Sequence, residues 1–330
     1  MTNENPFSTP AAQLLPSPAQ PSAATHQPYL FIAALAVASA LVFIVNIGWQ
    51  LMSELASHRE RVLDYLPMMT ANWAGGMLLY SAAVLLLVHQ QRERYGIARF
   101  EPQAILLAAY AGLYLLVSLG VGTAIAYFSL PFYEWAMEQE GRSFWMVLHS
   151  LTVSLLSLAL GCILPLWCVL RAARQRSELA SPARAAPVEG WQVAVGIALC
   201  FSGLLHKTLA MVAKGAMYLY LSGDAWQSIG VLGSCLLPFV IVMAAVQTRL
   251  PSQVSRFAAG RVLACALVLL ALWGVAIILV SLVVAFAAYS SLNSNSLPLY
   301  LLPPAILLLA LLWPLARWCT GWFFADQLAR

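Results

Sequence analysis

The chain has 330 residues, of which 62% are hydrophobic and only 9% charged. Soluble domains carry charge on about a quarter of their residues, so too little charge is present to cover a surface in water, and the solvent for most of the chain is lipid. The net charge of +4, from 17 Lys and Arg against 13 Asp and Glu, comes without a dense basic block and excludes a nucleic-acid partner.

In chain order, residues 1–28 hold Pro6, Pro10, Pro16, Pro18, Pro21 and Pro28 among Ser, Thr, Asn and Gln. Such a segment cannot bury a core and reads as a disordered cytoplasmic tail. It lacks the basic start of a signal peptide, and the apolar run that follows is too long for one. Crossing the hydrocarbon takes about 20 helical residues. Stretches poor in Asp, Glu, Lys and Arg place spans at 29–52, 65–88, 103–129, 144–170, 191–213, 226–247, 262–288 and 299–318. The last two are parted by a polar run ending at Pro298, a helix breaker. The expected fold is all-α: a polytopic bundle of about eight transmembrane helices, with a linker at 171–190 and a short tail at 320–330.

Lys and Arg in short loops set the orientation. Twelve lie in the loops after even-numbered spans or at the C-terminal end, and five, namely Arg59, Arg61, Arg142, Lys207 and Lys214, lie on the other side. The asymmetry puts both termini in the cytoplasm. Spans three and four also share features with spans seven and eight. Val117–Tyr127 resembles Val280–Tyr289, and a Leu-Pro-Leu-Trp-Cys run ending at Cys168 resembles the run Trp313–Cys319. The layout admits two parallel four-helix repeats, 29–170 and 191–319, an arrangement found in transporters.

Polar groups inside lipid are costly and point to function. Here they share a depth. Asn46, Gln50 and Glu54 follow one another at i, i+4 toward the outer end of span one. His149 lies about 10 Å inside Arg142. His206 and Lys207 lie in the outer part of span five. Together these six residues define an expected polar, outward-facing vestibule. Lys207 is also close enough to the edge of the hydrocarbon to snorkel. Asn46 and Gln50 are also suited to bonding a neighbouring helix. Glu54 and His58 have no third partner for a metal, and His149 and His206 lack the second ligand pair of a cytochrome bundle. The six cysteines, Cys162, Cys168, Cys200, Cys235, Cys265 and Cys319, form no Cys-x-x-Cys pair and read as small packing residues. No metal and no cofactor is expected.

No nucleotide loop, metalloprotease motif or nucleophile elbow occurs, and no loop is long enough to hold a soluble catalytic domain. The composition suits a bacterial inner membrane. The expected activity is that of a small-solute permease or carrier. The alternative is a non-catalytic scaffold, sensor or assembly subunit that meets other membrane subunits or itself. An intramembrane enzyme built on a histidine is the weakest reading.

Overall fold

The computed structural model describes residues 23–52, 56–179, 188–216, 225–289 and 297–328. Most of the expected tail, Glu54 and the polar run at 290–296 lie outside these residues. Among the described residues, eight helices are long and apolar enough to cross a membrane. They are α1 (Ala23–Leu51), α2 (Ala56–Tyr95), α3 (Gln103–Glu138), α4 (Arg142–Arg176), α5 (Gly190–Ala216), α6 (Ala225–Gln247), α7 (Ala259–Tyr289) and α8 (Leu297–Phe323). The count of eight holds, but several helices outrun the charge-free stretches. α2 begins at Ala56 and carries Arg59, Glu60, Arg61 and Asp64 in helical conformation, and α3 continues through Pro131 to Glu138. Charge ends the hydrocarbon layer, whereas a helix ends only where its backbone bonding ends.

α4 is not α-helical throughout. Ser157–Ile163 forms a π-helical turn before the helix resumes at Leu164. Pro165 explains the position. Its ring clashes with the carbonyl four residues back and offers no N–H, and widening the preceding turn moves that carbonyl away. The small residues Ser157 and Gly161 make room for the widened turn, and a Cβ on Gly161 would lie 3.4 Å from Ser118 Oγ on α3.

The same contact order recurs among the first four and among the last four helices, and α2 packs as closely on α5 and α6 as on its own neighbours. α1 lies on α2 and α3, and α4 lies on the same two; α5 lies on α6 and α7, and α8 lies on the same two. The first set encloses a core of Phe31, Leu35, Val88, Tyr110, Leu166 and Leu170. The second encloses Ile197, Phe201, Val246, Leu269, Leu312 and Phe324. α2 belongs to both, since it turns Val84 and Val88 to the first core and Ala82 and Leu85 to the second.

Burial is uneven along the helices. The fully buried large side chains, from Phe31 on α1 to Leu269 on α7, lie toward the arginine-rich end of the bundle. Toward the opposite end, large apolar side chains face outward, among them Trp49, Tyr127, Phe128 and Phe286, the last 86% exposed. Outward apolar faces are what a lipid solvent favours, and they match eight membrane-crossing helices.

Short backbone ladders and side-chain clasps lock the arginine-rich end. β1 (Ile97–Arg99) pairs antiparallel with β2 (Glu178–Leu179), and β3 (Val188–Glu189) pairs antiparallel with β4 (Gln253–Val254). Near the start of α1, the Gln27 side chain donates to the Phe100 carbonyl at 2.7 Å and accepts from the Phe100 N–H at 3.1 Å. Two residues further on, Tyr29 stacks on Trp191, ring centroids 5.2 Å apart, joining the starts of α1 and α5. Glu93 on α2 reaches across to the start of α7 and accepts from the backbone N–H groups of Phe257 and Ala258. Phe257 itself stacks on His89 at 4.0 Å.

Glu93→Gln keeps one acceptor oxygen but loses the charge that strengthens both bonds. Glu93→Ala leaves both amides without this partner and should cost about 1–3 kcal/mol, read as a lower melting temperature in detergent. Glu101→Ala, which removes only an exposed pair with Arg99 at 3.4 Å, should change it by about 0–1 kcal/mol.

A second ion pair ties the short helix Ala325–Leu328 to the bundle. Arg261 Nη1 donates to both carboxylate oxygens of Asp326, at 2.8 and 2.9 Å. Arg261 holds the Asp326 carboxyl below its ordinary pKa. The contribution is therefore present above the ordinary carboxylate pKa and is lost as pH falls through the lowered one. Asp326→Asn should remove it, and its small effect on melting should vanish in sufficiently acid buffer.

Candidate functional site

The seam between the two sets of helices runs along α2 and α5, and glycine decides how closely they meet. A Cβ on Gly203 of α5 would lie 2.5 Å from the backbone nitrogen of Leu79, and one on Gly75 of α2 would lie 2.5 Å from the His206 ring. Neither position has room for a side chain. Small residues permit such close approach where lipid supplies no hydrophobic drive between helices.

The seam carries its polar groups on the side away from the arginine-rich end. His206 is buried, with 4% of its surface exposed. Its Nδ1 lies 3.2 Å from Cys235 Sγ on α6, and its ring packs against Gly75 of α2. Cys235 also reaches the Val231 carbonyl at 3.2 Å. The imidazole is thus held by three helices. Lys207, the next residue, is half-buried, and its Nζ lies 3.9 Å from where a Gly76 Cβ would stand. Asn72 presents its side chain outward and bonds the Met68 carbonyl at 2.9 Å.

The remaining expected site residues lie elsewhere. His149 on α4 faces α3: its Nε2 is 3.1 Å from Ser129 Oγ, its ring stacks on Phe132 at 4.6 Å, and Tyr133 meets it edge-on at 5.0 Å. Asn46 is exposed and Gln50 half-buried on α1. α1 packs on α2 and α3, with Trp73 of α2 stacked on Phe43 and donating to Ser39 Oγ at 2.9 Å. α2 therefore stands between Asn46 and His206. Glu54 lies outside the described residues.

Among the described residues, the seam brings together Lys207 and an imidazole bonded to a thiol, with the Asn72 amide exposed beside them. Such a set can bind a small polar or anionic group. Among the described residues no cluster of three His, Cys, Asp or Glu could hold a metal. In the sequence Cys235 and Gly75 carry no sign of their partner. Only the tertiary fold joins them to His206. Comparison with protein-family models, with curated proteins and with solved structures finds no match.

Proposed function

We propose that this chain is a carrier of small polar or anionic solutes in a bacterial inner membrane, with both termini in the cytoplasm and a polar vestibule at the α2–α5 seam that faces outward. The observation that carries this reading is the polarity of the seam. His206, Lys207 and Asn72 gather on the side where side-chain burial thins, while the arginine-rich end is packed and clasped. The matching order within each set of four supports an internal duplication, and rocking of two such units is a common route to alternating access. The glycine contacts at Gly75 and Gly203 supply a close crossing about which the two sets can pivot.

A thermal-shift survey of small organic anions and neutral polar solutes on the purified full chain tests this. At least one compound should raise the melting temperature of the wild type and not of Lys207→Ala. No response to any compound, with Lys207→Ala and His206→Ala also leaving growth phenotypes unchanged, would sink the carrier reading. The alternative, a non-catalytic membrane subunit, draws support from a cleft of about 350 Å³ whose lining includes Leu79, Ala82, Leu86, Cys200, Leu204 and Leu263, with no charged group in it.

A further inference from the structure

At the arginine-rich end, between α2 and α4, lies a pocket of about 500 Å³ lined by Gln91, Tyr95, Trp167, Arg171, Arg174 and Gln175. Its two guanidinium groups rest on aromatic rings. Arg174 lies 3.1 Å above the centre of the Tyr95 ring and Arg171 5.1 Å above that of Trp167. Among the described residues, no carboxylate forms a salt bridge with either. Stacking fixes the plane of a guanidinium and leaves its edge of N–H donors free, the arrangement that suits a phosphate. Gln91 and Gln175 add neutral donors, and the lining contains no acid.

Inward of this pocket, on the same two helices, lies a separate apolar cleft that α5 and α7 also line. On α2, Gln91 and Tyr95 follow Ala83 and Leu87 at steps of four residues. On α4, Trp167 and Arg171 follow Ile163 in the same way. Ala83, Leu87 and Ile163 line the apolar cleft. From Ala83 to Tyr95 the face runs about 18 Å at 1.5 Å per residue, close to the depth of one leaflet of a bilayer whose core is about 30 Å thick. The α2–α4 pair thus presents apolar surface at acyl-chain depth and, at headgroup depth, two arginines that form no salt bridge among the described residues.

We infer that this groove is a binding site for an anionic phospholipid, whose phosphate meets Arg171 and Arg174 and whose acyl chain lies along Ala83, Leu87 and Ile163. Its cationic end shares no residue with the seam around His206. Basic pockets between helices at this depth are suited to such headgroups.

The test is native mass spectrometry of the full chain in detergent, titrated separately with phosphatidylglycerol, phosphatidylcholine and inorganic phosphate. Phosphatidylglycerol should be retained in preference to phosphatidylcholine, and inorganic phosphate should not compete at equal concentration. Replacing both Arg171→Gln and Arg174→Gln should weaken phosphatidylglycerol binding about 30-fold, while Arg317→Gln, an exposed arginine elsewhere at the same end, should not. Ala83→Phe should weaken binding of long-chain but not of short-chain phosphatidylglycerol. Equal retention of phosphatidylcholine, or competition by inorganic phosphate as strong as by lipid, would overturn the proposal on the wild type alone. Undiminished binding by the double variant would overturn it as well.

Discussion

Gly203→Val should yield little folded protein. The nearest atom to a Cβ at this position is the backbone nitrogen of Leu79, 2.5 Å away, with the Leu79 Cα at 2.6 Å. Backbone cannot rotate aside as a side chain can, so α2 and α5 must separate along the whole seam. Overpacking commonly costs about 1–3 kcal/mol, and a backbone clash belongs at or above the top of that range. The expected readouts are low yield in the membrane fraction and an aggregated profile on size exclusion. Gly233→Val and Gly120→Val, where nothing lies within 4 Å of the added Cβ, should leave both unchanged. Gly75→Ala differs in kind. The atoms it meets belong to the His206 ring, a side chain that can shift where backbone cannot, so it should cost less than Gly203→Val while moving the imidazole away from Cys235 and losing that contact.

His206→Ala and Lys207→Ala are expected to separate stability from function. His206 is buried with its nitrogen on Cys235. Its removal leaves the buried thiol without this partner, at a cost of about 1–3 kcal/mol, so the melting temperature should fall. Lys207 is half-buried and its long stem can snorkel, so truncating it should lower stability less than removing the buried His206. It should nonetheless abolish the response to an anionic solute. A Lys207→Ala chain that melts as the wild type and still responds to that solute would remove the cation from the site.

The eight spans are legible in the sequence because lipid excludes charge, and charge-free stretches mark where the chain can cross. Helix ends are not, since the first turns of α2 hold Arg59, Glu60, Arg61 and Asp64 in helix, where neither charge nor hydropathy marks the boundary. His206 and Lys207 stand out in sequence for the same reason as the spans: an ionisable group in an apolar run is costly. The i, i+4 stripe Asn46–Gln50–Glu54 gives a face of one helix but not the neighbour that face meets, and α2 stands between that helix and the seam. Cys235 is indistinguishable from the other cysteines until α6 is seen against α5. Arg171 and Arg174 count toward orientation in the sequence; their stacking on Trp167 and Tyr95 follows from how α2 meets α4. Glu93 likewise gives no local sign that it caps a helix more than 160 residues away.

Access of water to the seam is the property on which the carrier reading depends most. It can be measured by placing single cysteines at Asn72, at Lys207 and, as a lipid-facing control, at Leu116, which is exposed on α3. Each is then treated in sealed membranes with a membrane-impermeant maleimide. Asn72→Cys and Lys207→Cys should label from the outside well above the wild-type background of native cysteines, and Leu116→Cys should not. Labelling of both seam positions no greater than that of Leu116→Cys would contradict an outward-facing polar vestibule between α2 and α5.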